Sequence, residues 1–202
     1  AIGRHPNSHD IGLENTDVEV DEDGFVIVDE ERRTHDEHIF AVGDVIGVPM
    51  LAHKAMHDGK IAAEVIAGEP AAFDVRCMPA VVYTDPQIAW CGLSEAEAAE
   101  QGYDVALGTF RWTASGRAVT MGQTLGLTKI VFDAETERVL GVGIAGRGAE
   151  DLIAEGALAV EMGAVADDLA LTVHPHPSLS ETVSEAAEAF QGLATHILSR
   201  RK

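Results

Sequence analysis

Leu127-Thr128-Lys129-Ile130-Val131-Phe132 and Val139-Leu140-Gly141-Val142-Gly143-Ile144-Ala145-Gly146 admit two incompatible architectures. The last six residues have the G-x-G-x-x-G spacing with which a dinucleotide-binding strand turns into a helix, and a helical pattern does follow, from about Glu150 to Met162. That architecture requires a parallel strand after the helix, closed by an acidic residue. The chain instead passes through Gly163-Ala164 into a short segment, Val165 to Leu171, with no apolar strand. The two apolar runs are joined by the polar link Ala134-Glu135-Thr136-Glu137, which makes them a hairpin and the sheet antiparallel. The glycines then serve close strand packing and not a phosphate.

Outward from this hairpin, further strands are expected at Pro79 to Tyr83, Ile88 to Cys91 and Ala106 to Thr113. Ser94 with Glu97 is a capping box that opens a helix ending near Gly102, and later helices follow Ser180 and run through Leu193 to Leu198. Upstream, Gly68-Glu69-Pro70-Ala71-Ala72 reads as a linker after a helix from about Leu51 to Ala67. Asp23-Gly24 marks a turn between Val18 and Val20 on one arm and Phe25, Ile27 and Val28 on the other. Thr34 to Asp44 ends in a short buried-type strand, Ile39-Phe40-Ala41-Val42, that stops at Gly43-Asp44. The whole is an α+β chain of two domains, residues 1–72 and 73–202. The opening Ala1-Ile2-Gly3-Arg4-His5-Pro6-Asn7 reads as a loop cut from a longer protein.

A formal net charge of -20, from 34 acidic and 14 basic residues, argues against partners that are nucleic acid or anionic membrane. Carboxylates dispersed over the surface with only four lysines suggest adaptation to high intracellular salt, where screening shrinks to about 3 Å. No apolar run reaches the roughly 18 residues of a membrane span. Cys77 and Cys91 form no C-x-x-C motif and read as free thiols of a reducing, cytoplasmic compartment.

Two places concentrate chemistry. Strand, Gly43-Asp44, loop and helix start bring a carboxylate and the positive end of a helix to one point, which suits a polar, partly anionic ligand. Within that helix His53 and His57 have the spacing of a metal pair, but Lys54 stands where a zinc protease has its glutamate and no third ligand is evident. The second place is His174-Pro175-His176-Pro177-Ser178-Leu179-Ser180-Glu181, where two imidazoles come within reach of one carboxylate. Ser178 and Glu181 also have the form of a capping box, so a structural role is open beside a chemical one.

Three separated motifs together resemble the pyridine nucleotide-disulfide oxidoreductases. Thr34 with Ile39-Phe40-Ala41-Val42-Gly43-Asp44 is similar to their second FAD motif, and Met50-Leu51-Ala52-His53-Lys54-Ala55 with Gly59 is similar to their flavin-ring helix. Tyr83-Thr84-Asp85-Pro86-Gln87-Ile88-Ala89 and Gly92-Leu93-Ser94-Glu95 resemble the start of their interface domain, and His176 to Glu181 their His-Pro…Glu segment. The resemblance implies that the first domain ends an FAD/NAD-linked central region and that the second is an interface, or dimerisation, domain. It assigns flavin contacts to Gly43, Asp44, Leu51, Ala52 and His53: Asp44 to the ribityl hydroxyls, the backbone of Leu51 and Ala52 to the reduced ring. It makes His176 the general base and Glu181 its orienting partner, facing the flavin of the other subunit of a homodimer. The wording Leu179-Ser180-Glu181 is closest to the branch that oxidises a lipoyl dithiol, with FAD and NAD as cofactors and the lipoyl domain of a 2-oxoacid dehydrogenase-type complex as partner. The glutathione reductases differ after His-Pro, yet a reductase of that kind, or a non-catalytic dimerisation piece, is the alternative. Gln87 departs from the family's usual glutamate, and Cys91 from its usual valine. The C-x-x-x-x-C redox pair and the dinucleotide fingerprints belong to the family's earlier domains and are not in these residues, so the chain alone would not transfer electrons.

Overall fold

Residues 2–198 are described by the structure, a computed structural model. The chain divides into two compact units, Ala1–Val75 and Arg76–Lys202.

The first unit is mostly turns around one helix, α1 (Ala52–Ile66). Its inward residues are Lys54, Asp58, Ile61, Ala62 and Val65, a stripe at helical spacing whose first two members are charged. At the expected turn the Asp21 carboxylate accepts the N–H groups of Asp23 (3.0 Å) and Phe25 (2.8 Å), and Gly24 takes the left-handed φ of +91°. The arms meet only at the Val20–Val26 bridge. Val26 is the buried residue there, while Ile27 is exposed, because the Val26 N–H donates to the carbonyl of Val45 and draws that position inward. The strand expected before Gly43 is likewise reduced to one bridge, Arg33 to Phe40, and the chain then enters a 3-10 turn, Gly43–Ile46. Thr34 explains the shortening: its N–H and hydroxyl both donate to the Ile39 carbonyl, closing a tight loop.

The second unit is built on an antiparallel sheet of five strands: β1 (Ala80–Val82), β2 (Ile88–Gly92), β3 (Val105–Arg111), β4 (Leu127–Asp133) and β5 (Val139–Ala145), in the order β1-β2-β5-β4-β3. The central hairpin pairs Leu127 with Ala145 and Phe132 with Val139. Helices α2 (Glu95–Glu100), α3 (Gly116–Thr120), α4 (Ala149–Met162), α5 (Ala166–Ala170) and α6 (Glu181–Gln191) complete it. α4 packs on β2 and β5, and α6 on β3 and β4, over a core that includes Phe110, Trp112, Ile130, Phe132 and Ile144. A Cβ on Gly141 would lie 2.1 Å from the Leu93 carbonyl oxygen, and one on Gly146 would lie 2.3 Å from the Trp112 ring. Close packing, as expected, is what these two glycines permit, whereas a Cβ on Gly143 would meet nothing within 4 Å.

The Ser94–Glu97 capping box forms as read. Val165 to Leu171 forms no strand, as expected, and contains α5, whose start is held by the Asp168 carboxylate accepting the Val165 N–H at 2.9 Å. One local reading is corrected. Leu193 to Leu198 is not helical: Gly192 takes a φ of +76° at the end of α6, and the Leu193 N–H turns back to the Glu188 carbonyl.

Candidate active site

The start of α6 is fixed from below. The buried Trp112 indole N–H donates to the Thr128 hydroxyl (3.1 Å), which donates to the Thr182 hydroxyl (2.8 Å), which donates to the Leu179 carbonyl (2.7 Å). All three side chains in this chain are fully buried. A satisfied polar chain of this kind sets one geometry, so Glu181, beside Thr182, has little freedom.

On that base Glu181 divides its two oxygens. Oε1 lies 2.8 Å from His176 Nδ1, and Oε2 accepts the Ser178 N–H at 2.7 Å. Burial alone pushes the Glu181 carboxyl up, but the Ser178 N–H and the His176 ring outweigh it and hold it below the usual carboxylate range. An ionised carboxylate at Nδ1 makes that nitrogen the donor, which leaves the lone pair of a neutral imidazole on Nε2. The His176 side chain is 68% exposed and Nε2 has no protein partner among the described residues. An imidazole held this way can take a proton at Nε2.

Ser178 does not cap α6 as its spacing suggests. The N-cap is Ser180, without a side-chain cap bond, and the Ser178 hydroxyl pairs with that of Ser180 at 2.9 Å. Only the Glu181 half of the expected box forms, because Glu181 is drawn between Ser178 and His176. His174 is placed differently from His176. Its ring is 6% exposed, with Nε2 2.7 Å from Glu155 and Nδ1 2.8 Å from the Thr172 carbonyl, so both nitrogens are engaged.

Sequence reasoning missed a second imidazole-carboxylate pair at this site. Glu185, one turn after Glu181 on α6, is almost buried and pairs with His196 Nδ1, while its Oε2 accepts the His196 N–H at 3.3 Å. The Glu185 carboxylate raises the His196 imidazole above its ordinary value. His176, Glu181, Glu185 and His196 line one small cavity with Phe110 and Ser115. The signal was the i, i+4 spacing of two carboxylates on one helix face; the position of His196 beyond the helix had no signal at all.

In the first unit, Gly43 is buried with a φ of +80°, and a Cβ there would lie 2.8 Å from that of Ala55. Its N–H donates to Asp58 Oδ2 at 3.1 Å. The same carboxylate accepts Lys54 Nζ (2.9 Å) and Arg32 Nε (2.8 Å). Burial raises the Asp58 carboxyl, but these donors outweigh it and hold it low. This network ties the Gly43-Asp44 turn to α1. Asp44 itself is half-exposed and accepts Arg4 Nη1 at 3.0 Å. Leu51 is the N-cap of α1 and provides no side-chain cap to Ala52, His53 and Lys54 in its first turn. His57 packs edge-on against Phe73, and among the described residues no cluster of His, Cys, Asp and Glu is placed to hold a metal. Asp58 and Arg32 were missed, although Lys54 and Asp58 stand at i, i+4.

A Gly-Asp turn and helix start in the first unit and an antiparallel sheet with a carboxylate-held imidazole in the second match one class of protein. The model of the pyridine nucleotide-disulphide oxidoreductase dimerisation domain matches residues 78–187, and that of the pyridine nucleotide-disulphide oxidoreductases matches residues 1–59. The chain belongs to this family. Among its relatives are proteins named dihydrolipoyl dehydrogenase: one from Thermus scotoductus is 52% identical over 99% of this chain and 43% of its own length. Those from Halobacterium salinarum and Buchnera aphidicola are 50% and 48% identical, over 99% and 100% of this chain and 42% of their own lengths. The chain therefore spans less than half the length of these curated relatives. Of solved structures, LpdA from Mycobacterium tuberculosis superposes with a TM-score of 0.86 at 30% identity, over 93% of this chain and 41% of that one. The HOCl-induced flavoprotein disulfide reductase RclA from Escherichia coli gives 0.87 at 28% identity, over 93% and 44%.

Proposed function

We propose that these residues are the C-terminal part of a dihydrolipoyl dehydrogenase, which oxidises protein-bound dihydrolipoamide to lipoamide and passes the electrons to NAD+. The observation that carries this reading is the His176–Glu181 pair, with Nδ1 held by the carboxylate and Nε2 facing outward. His176 takes a thiol proton from dihydrolipoamide at Nε2, and Glu181 stabilises the imidazolium that results. The two electrons of the dithiol go to a redox disulfide contributed by the remainder of the longer protein.

The first unit suits FAD by the chemistry of its donors and acceptors. Asp44 would accept from ribityl hydroxyls once it shares or releases Arg4. Leu51, Ala52 and His53, at the positive end of α1, would hold the negative side of the ring, with Gly43 fixing the approach. FAD, when bound, supplies a two-electron relay between a dithiol pair and NAD+.

The working unit is a homodimer in which the dyad faces the partner's flavin. An apolar outer sheet surface with Ile88 and Trp90, and Tyr83 exposed nearby, supports such an interface. The partner in turnover is the lipoyl domain of a 2-oxoacid dehydrogenase-type complex. The setting is the cytoplasm of a cell with high internal salt, a reading supported by the charge of -20. Among the described residues no helix is long and apolar enough to cross a membrane.

The test is His176→Gln in the complete enzyme. Dihydrolipoamide oxidation is expected to fall by a factor on the order of 10² to 10⁴ with flavin absorbance retained. Unchanged oxidation would refute the base assignment. Turnover of glutathione disulfide in place of dihydrolipoamide would move the protein to another reductase of the family.

A further inference from the structure

One side chain anchors the loop that presents His176. From Leu171 to Pro177 every residue except His174 is exposed, and among the described residues no backbone hydrogen bond ties residues 173–177 to the rest of the unit. The His174 side chain is only 6% exposed and reaches α4, where Nε2 lies 2.7 Å from Glu155 Oε1. Nδ1 lies 2.8 Å from the Thr172 carbonyl oxygen, so the same ring closes the loop on itself. Thr172 is fastened in turn, its hydroxyl donating to the Asp168 carbonyl of α5 at 2.6 Å. Pro175 alone separates the two histidines, and its ring fixes one of the few torsions between them. The setting of His174 is thereby passed on to His176.

Both partners of the His174 ring are acceptors. A carbonyl oxygen has no proton to give, so Nδ1 is the donor to Thr172. A neutral ring with its hydrogen on Nδ1 would present a lone pair at Nε2, which an ionised carboxylate repels. The 2.7 Å contact is a hydrogen bond only with a proton between Nε2 and Oε1. His176 is held differently: its carboxylate takes Nδ1, and Nε2 has no protein partner among the described residues, so a neutral ring satisfies it.

We propose that His174 is a positioning residue for the reaction: it donates from both ring nitrogens, as an imidazolium paired with the Glu155 carboxylate, and this clasp to α4 sets where His176 presents Nε2. The proposal rests on the assignment of His176 as the base.

The complete enzyme carries the test, as parent, Glu155→Ala, His176→Gln and the double variant, each checked for flavin content. Glu155→Ala opens the clasp. Because what it displaces is the base, kcat for dihydrolipoamide oxidation is expected to fall about 10- to 100-fold with KM within a factor of about two of the parent. In the His176→Gln background the same substitution should change kcat by less than about twofold, since no base is left to misplace. An equal loss in both backgrounds is the mark of a general structural role and overturns the proposal, as does an unchanged kcat in Glu155→Ala. Full activity in His176→Gln alone is a different outcome, which sinks the base assignment and the proposal with it. A second measurement needs no variant to be active. NMR of isotopically labelled histidine ring nitrogens, with the His174 signals identified by their shift in Glu155→Ala or their loss in His174→Gln, is expected to show hydrogen on both nitrogens at neutral pH. A neutral tautomer of His174 overturns the proposal.

Discussion

Replacing Asp58 with Ala should damage the first unit more than any other single change on α1. Asp58 is fully buried and accepts from Arg32 Nε, Lys54 Nζ and the Gly43 N–H at 2.8, 2.9 and 3.1 Å. Without it, two cations whose side chains are only 10% and 7% exposed lose their counter-charge, and a buried N–H loses its acceptor. Breaking a buried ion pair costs about 3–5 kcal/mol, and an orphaned buried N–H about 1–3 kcal/mol. The three interactions share one carboxylate and do not add, so a total near the first range is expected. For a unit of this size each kcal/mol lowers the melting point by roughly 4–8 °C, which places the first calorimetric transition of Asp58→Ala roughly 12 °C or more below the parent. The sign with pH follows from the direction of the shift. The folded carboxyl lies below its ordinary 3.8, so its contribution is complete above that value and is lost as pH falls through the folded pKa. The gap between parent and variant should thus be constant from neutral pH to about pH 5 and close below it. Because Asp58 holds the Gly43 N–H, the variant should also purify with less flavin. A transition within about 2 °C of the parent would show that the network is not the support it is taken to be.

The other predictions are briefer. Glu185→Gln removes the partner that raises His196 above its ordinary 6.5; that contribution is present below the unfolded value and lost as pH rises through the folded one. The variant should therefore differ from the parent most near pH 6 and least near pH 9 in thermal midpoint, and a gap that widens with pH would refute the pairing. With a net charge of -20, the melting temperature should rise between dilute buffer and molar KCl, where the screening length falls to about 3 Å; no rise would count against a salt-adapted surface.

What was legible in the chain is what repeats with a short period. The five strands followed from apolar runs broken by turns, and the order of Leu127–Phe132 and Val139–Ala145 about a polar link fixed their direction. The Ser94–Glu97 box was legible because both halves of a capping box lie in one turn. The same pattern at Ser178 and Glu181 misled because Glu181 has a second suitor, His176, which no spacing rule weighs against a helix N–H. Asp58 and Glu185 were illegible for a related reason. A carboxylate on a helix is usually solvated, and only the fold brings Arg32 and the Gly43 N–H to one, or His196 to the other.

Gln87 shows how a departure from a family's wording acquires a meaning once its partners are known. The resemblance expects glutamate at this position. Gln87 Nε2 donates to Glu150 Oε1 at 2.8 Å, and its Oε1 accepts the Gly148 N–H at 2.6 Å, while its backbone carbonyl accepts the Gly146 N–H at 2.8 Å. An amide offers a donor and an acceptor at once from one planar group, which an ionised carboxylate does not. A glutamate at 87 would keep the bond to Gly148 but would set a second negative charge against Glu150. Glu150 lies in the first turn of α4, where the helix end favours a carboxylate, and its Oε2 is buried without a protein partner among the described residues. Gln87 thus supplies a donor to Glu150 at the helix start, and it joins β2 to the turn that closes β5. The substitution is one half of a matched pair, and its other half was sitting in a helix that the G-x-G-x-x-G pattern had appeared to claim for a nucleotide.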